Sequence, residues 1–102
     1  MSIIRKNRFY IIKCFDNDEC FIKTGTTGSE LSRRYSGKIP YSWEVVSEIF
    51  CSVTESIAME NTISENFHQY SPLKKFGGYL ECFMVKDLNM IIEKSLTLTL
   101  GR

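Results

Sequence analysis

Arg8-Phe9-Tyr10-Ile11-Ile12-Lys13-Cys14-Phe15, followed by Asp16-Asn17-Asp18 and then Glu19 to Thr24, is the stretch that decides the fold. Its first part is rich in aromatic and β-branched side chains, which suit a pleated strand. The Asp-Asn-Asp that follows supplies turn chemistry, because these side chains bond their own main chain and tolerate left-handed backbone. Glu19 to Thr24 then returns as a second strand and completes a hairpin. A turn centred on Asn17 sets Cys14 opposite Cys20. No Cys-x-x-Cys doublet accompanies them and the one histidine, His68, is remote. Both therefore read as buried free thiols rather than as a zinc or disulfide pair.

Working outward, Gly25-Thr26-Thr27-Gly28-Ser29-Glu30 breaks the strand pattern and offers Thr27 or Ser29 as the cap of a short helix through Arg33, Arg34 and Tyr35. Gly37 and Pro40 end that helix. A third strand is expected from Trp43 to Val53. Ser52-Val53-Thr54-Glu55 then has capping-box spacing and opens the best helix in the chain. On it Met59, Ile63, Phe67 and Tyr70 fall on one apolar face. At about 100° per residue, Glu60 lies at the border of that face, whereas Glu55 and Glu65 point away. Glu60 is therefore the carboxylate of this helix expected to be half buried. Ser71-Pro72 is the expected stop, Tyr79 to Val85 a further strand, and Asp87 the cap of a last helix with Leu88, Ile91, Ile92 and Leu96 turned inward and a fraying tail. These elements predict an α/β fold of the α+β type: a small antiparallel sheet of three to four strands flanked by helices. The expected domain is single, over residues 1–102, with a C-terminal helix at 87–99.

Composition agrees. The chain has 102 residues, 43% of them hydrophobic and 25% charged, as in an ordinary globular domain. It has no apolar run long enough to span a bilayer and no signal-peptide pattern near Met1, and its four cysteines are dispersed, so it reads as cytosolic with reduced thiols and no membrane partner. The net charge is only +1. Unaided grip on duplex nucleic acid rests on many phosphate contacts, so any such role depends on a local patch. The basic excess lies in the first half, where Arg5, Lys6, Arg8, Lys23, Arg33, Arg34 and Lys38 suggest one strip beside Tyr35 and Tyr41.

The order Phe9-Tyr10-Ile11, Lys23-Thr24-Gly25, a short helix with Arg34, and Glu60 on a longer helix resembles the GIY-YIG nuclease superfamily. It is most similar to a phage- and fungus-associated branch whose second motif reads Lys-Ile-Gly. Gly77-Gly78-Tyr79-Leu80-Glu81-Cys82-Phe83 fits the Glu-x-Phe ending common in that branch, so the likeness spans a motif-bearing core at residues 8–83. It departs from the family at Arg8, where the first motif has glycine, at Thr24, and at Ser64, where relatives often carry histidine.

The resemblance implies a small metal-dependent endonuclease that hydrolyses DNA phosphodiester bonds. Tyr10, Lys23, Arg34 and Glu60 would be its catalytic residues, with Arg33 as the alternative to Arg34. Glu60 would hold Mg²⁺ or Mn²⁺, a hard cation able to stabilise the departing oxygen. Arg34 offers a planar fork for phosphate oxygens. Tyr10 would be the general base. An unperturbed phenol has a pKa of about 10, so it needs a positive charge such as Lys23 beside it. Arg8, Lys23, Gly25, Arg33 and Lys38 would contact the nucleic acid.

Taken singly, each residue has a plainer role: Tyr10 as a packed aromatic, Lys23 and Arg34 as surface cations, Glu60 as a surface carboxylate. Their order as a set carries the functional reading. With so little net charge, a homodimer, a protein partner or a structured substrate is the expected aid to binding DNA. The runner-up reading is a catalytically degenerate module of the same fold that binds nucleic acid or a protein, as a viral factor acting on a host. The single alanine and the abundance of Ile, Lys, Phe, Ser and Asn fit a phage or viral genome rich in A and T.

Overall fold

The computed structural model describes residues 6–28, 39–77 and 79–100. Three long strands come first: β1 (Asn7–Phe15), β2 (Cys20–Thr27) and β3 (Ser42–Cys51). Helix α1 (Val53–Asn66), the short strand β4 (Cys82–Phe83) and helix α2 (Leu88–Leu100) follow. The four strands form one antiparallel sheet in the order β3-β1-β2-β4, so the hairpin occupies its centre. The α+β expectation holds. The short helix expected at Arg33 to Tyr35 falls outside the described residues.

The hairpin turn is one residue longer than a turn centred on Asn17. Asp16 Oδ1 accepts from the amides of Asp18 and Glu19, at 2.8 and 3.0 Å, and the Asp16 amide donates to the Glu19 carbonyl. The loop is therefore Asp16 to Glu19, and Phe15 pairs with Cys20 and Cys14 with Phe21. Because a single-residue slip changes the face of every side chain, Cys14 is buried while Cys20 is exposed. They do not face each other.

Both faces of the central strands are covered, which explains the unbroken apolar run Phe9 to Ile12. Phe9, Ile11 and Ile22 pack with Cys51, Met59, Ile63, Phe83 and Ile91 beneath the two helices. Tyr10, Ile12, Cys14 and Phe21 pack on the opposite face with Tyr41 and Cys82, against Ile39, Trp43, Tyr70 and Phe76. Both described helices lie on one side of the sheet, and connecting segments close the other.

β3 ends at Cys51, short of the expected Val53, because Ser52 serves as the helix cap. The Ser52 hydroxyl accepts from the Glu55 amide at 3.1 Å, and Glu55 accepts from the Ser52 amide at 2.9 Å. This reciprocal capping box holds Glu55 back against the chain and buries it, although the helical wheel turns it from the apolar face. α1 stops at Asn66, before the expected stop at Ser71-Pro72. Phe67 is extended, Gln69 bridges to Phe83, and the Tyr70 amide donates to the Cys82 carbonyl at 2.8 Å. Tyr70 thus leaves the α1 face and joins the opposite core. Over Tyr79 to Val85 the expected strand shrinks to Cys82–Phe83, preceded by a 3₁₀ turn at Tyr79–Glu81.

Asp87 belongs to a second 3₁₀ turn, Val85–Asp87, that leads into α2. Ile91 is buried, but Leu96 is 39% exposed. Ser95 takes the inward position, one turn on from Ile91, its hydroxyl donating to the Ile92 carbonyl, and Leu98 packs where Leu96 was expected. The tail expected to fray continues as helix to Leu100. Among the described residues, no helix is long and apolar enough to cross a membrane.

Candidate functional site

Tyr10 and Gly25 are directly paired across the β1–β2 ladder, and Lys23 lies two residues back along β2 on the same face. A side chain at Gly25 has no room: a Cβ built there falls 2.6 Å from Tyr10 Cζ and closer still to the hydroxyl. The tyrosine therefore lies flat over the glycine, with its hydroxyl at the C-terminal end of β2.

The Lys23 ammonium donates to that hydroxyl at 3.4 Å and to the Thr24 carbonyl at 3.2 Å. It also forms an ion pair with Glu81 at 3.5 Å. Tyr10 is 0% and Lys23 is 1% exposed. A buried ammonium is costly unless paired, and Glu81 supplies the counter-charge. Lys23 therefore belongs to the interior, not to an exposed basic strip. Tyr41 is likewise absent from any such strip; it is buried at the other end of the hairpin.

Glu60 reaches this end of β2 from α1. It is half buried and accepts from the Thr26 hydroxyl. Burial, and then the negative charge of Glu81, push its pKa above the usual glutamate range, against the opposing pull of Thr26 and Lys23. Lys23 thus lies between the Tyr10 phenol and the Glu81 carboxylate, and Glu60 feels the charges of Lys23 and Glu81 from the helix-bearing side of the sheet. β4 pairs with β2 at Ile22 and Lys23 alone.

Of the sequence-derived set, the structure brings Tyr10, Lys23 and Gly25 into contact, while Glu60 lies on the helix-bearing side of the sheet, bonded to Thr26. Arg8 is two residues from Tyr10, on the same face, at 3.8 Å from Glu48 and over the ring of Phe50. Arg33, Arg34 and Lys38 lie outside the described residues. Glu81 is the member that sequence reasoning missed: the Glu-x-Phe ending was visible, but nothing local shows that its turn delivers the carboxylate to Lys23. No group of three or more His, Cys, Asp or Glu side chains suited to a metal occurs among the described residues.

A second polar cluster closes the far end of the hairpin. Glu19 accepts from the hydroxyls of Tyr41 and Tyr70, the latter at 2.5 Å, and from the Leu73 amide at 3.1 Å. The Tyr41 hydroxyl in turn accepts from the Lys74 amide at 3.0 Å. Phe21 stacks on Tyr70 and meets Tyr41 edge-on. Every strong acceptor here is in use within the fold, so this cluster fastens the segment after α1 onto the hairpin.

The thiols offer no reactive centre on the loop-covered face. Burial pushes both Cys14 and Cys82 up to about 12, although Lys23 opposes it.

The chain matches no family model, no curated protein and no solved structure.

Proposed function

We propose that this protein is a small metal-dependent endonuclease that hydrolyses DNA phosphodiester bonds at the C-terminal end of β2. The observation that supports the reading is the contact of Tyr10, Lys23 and Gly25 on β1 and β2, with Glu60 of α1 near enough to Lys23 for that ammonium to lower its pKa.

The donor set fits a hard divalent cation. Glu60 and Glu81 are close enough for one to raise the pKa of the other, and both offer oxygen ligands. Mg²⁺ is commonly held by one or two carboxylates and keeps several waters, so two suffice. When bound, Mg²⁺ or Mn²⁺ supplies positive charge to the leaving oxygen. The remaining work falls to the protein. In the hydrolysis a water oxygen bonds to phosphorus, the bond from phosphorus to the 3′ oxygen breaks, and the water gives up a proton. Tyr10 Oη, which accepts from the Lys23 ammonium at 3.4 Å, is the group assigned to receive it. Arg34, on the segment between β2 and β3, is the donor assigned to the phosphate oxygens.

One observation favours a second reading. Tyr10 and Lys23 are sealed from solvent, and a sealed phenol and ammonium satisfy each other without meeting a substrate. On that reading the fold is a non-catalytic module that binds nucleic acid or a protein through its surface.

Incubation with supercoiled plasmid separates the two. The endonuclease produces nicked and linear DNA with Mg²⁺ or Mn²⁺ and none in chelator. Intact plasmid under all conditions, with DNA binding retained, overturns the proposal in favour of the module.

A further inference from the structure

We infer that Phe50, backed by Arg8, is a stacking platform for an unpaired base of single-stranded DNA beside the Tyr10 site. This deepens the endonuclease reading and rests on it for the class of ligand.

Arg8 and Phe50 are directly paired across the β1–β3 ladder, and the guanidinium lies 5.1 Å from the ring centroid. Both stand on the face of the sheet that carries Tyr10, two residues further along β1, or about 7 Å. Arg8 comes from the neighbouring strand and so covers the ring from the inner side. Among the described residues β3 is the outermost strand of the sheet, so the side of the ring away from Arg8 faces that edge. Phe50 is a large apolar side chain, yet it is 54% exposed at the next-to-last pair of the β1–β3 ladder. An aromatic held rigidly on one side and open on the other is the geometry on which a nucleobase stacks.

The surrounding charges suit a nucleic-acid strand. At the same end of the sheet Lys6 is exposed, and a cleft lined by Lys6, Asn7, Cys51, Ser52 and Val53 opens on the helix-bearing side. Lys6 and Arg8 are the cations available to a backbone phosphate. Glu48, the nearby anion, lies 3.8 Å from Arg8 and holds the guanidinium in place. The net charge of +1 gives little purchase on duplex phosphates. A duplex also keeps its bases stacked on one another, so the exposed ring has nothing to receive. The platform therefore selects a strand with a free base.

Binding in EDTA tests this without cleavage. A fluorescein-labelled single-stranded oligothymidylate and a duplex of equal length are titrated by anisotropy. The single strand should bind more tightly, and Phe50→Ala should weaken it at least about fivefold while leaving its salt dependence unchanged. Phe50→Trp should retain binding, and Arg8→Gln should lower the salt slope. Equal affinity of Phe50→Ala and wild type, or preference for duplex, overturns the platform. So does a sedimentation result in which the wild type is a dimer and Phe50→Ala a monomer, because the ring would then join two copies. Cutting with Mg²⁺ but no dependence on Phe50 removes the platform and leaves the endonuclease. Binding that depends on Phe50, with no cutting, does the reverse.

Discussion

The hydroxyl of Tyr10 occupies the volume that a side chain at Gly25 would need, so the glycine is fixed by its neighbour across the ladder and not by its own backbone. Gly25→Ala should destabilise the fold by about 1–3 kcal/mol, the usual cost of overpacking a core. Urea denaturation measures it. In a Tyr10→Ala background the same change should cost much less, because the obstructing ring is gone. Additive losses would show that the two residues do not share this space.

Much of this site was legible in the sequence. The apolar run of β1 and the turn residues after it mark a hairpin, and Ser52 with Glu55 marks the start of α1. Helical periodicity alone placed Glu60 at the border of the buried face, which is where it lies. What failed were the features set by tertiary pairing. One extra residue in the turn moved Cys14 and Cys20 to opposite faces, and pairing with β4 drew Tyr70 out of α1. Glu81 and Glu19 gained their partners through long-range contacts that have no local signature. The exposed ring of Phe50 was equally silent, since an aromatic in a strand reads as core.

Glu60 should be worth more to function than to stability. Its pKa is raised in the folded state, so its ionisation weakens the fold as pH rises through that value. Glu60→Gln should therefore unfold at the same or a higher urea concentration at pH 7, while cleavage falls by on the order of 10²-fold or more. A matching loss of stability and cleavage would make Glu60 a structural group.

The Glu19 cluster predicts opposite behaviour at the two ends of the pH scale. Burial disfavours the Glu19 carboxylate, but the hydroxyls of Tyr41 and Tyr70 and the Leu73 amide together lower its pKa. Its contribution is present above the ordinary glutamate pKa and is lost as pH falls through the lower folded value. Tyr41 and Tyr70 are pushed up to about 12, Tyr41 first by burial and Tyr70 first by its bond to Glu19. Their contribution is whole below pH about 10 and disappears as pH rises towards 12. Phenolate absorbance should show Tyr41 and Tyr70 ionising late. Glu19→Gln should advance both and flatten the acid limb of the stability curve. Uniform ionisation near 10 would contradict the cluster.

Thiol labelling checks the corrected register. Cys20 is exposed, whereas Cys14, Cys51 and Cys82 are buried. A thiol reagent should modify Cys20 alone in the native protein and the other three only on unfolding. Oxidation should form no bond between Cys14 and Cys20, and formation of that bond in the native state would restore the shorter turn.

The central claim is that Tyr10, Lys23 and Glu60 form one hydrolytic site. Single-turnover cleavage of an end-labelled oligonucleotide, with Mg²⁺ and folding matched by circular dichroism, tests it most directly. The account predicts cutting by the wild type, and its loss in Tyr10→Phe and in Glu60→Gln alike. Undiminished cutting by either variant would contradict it.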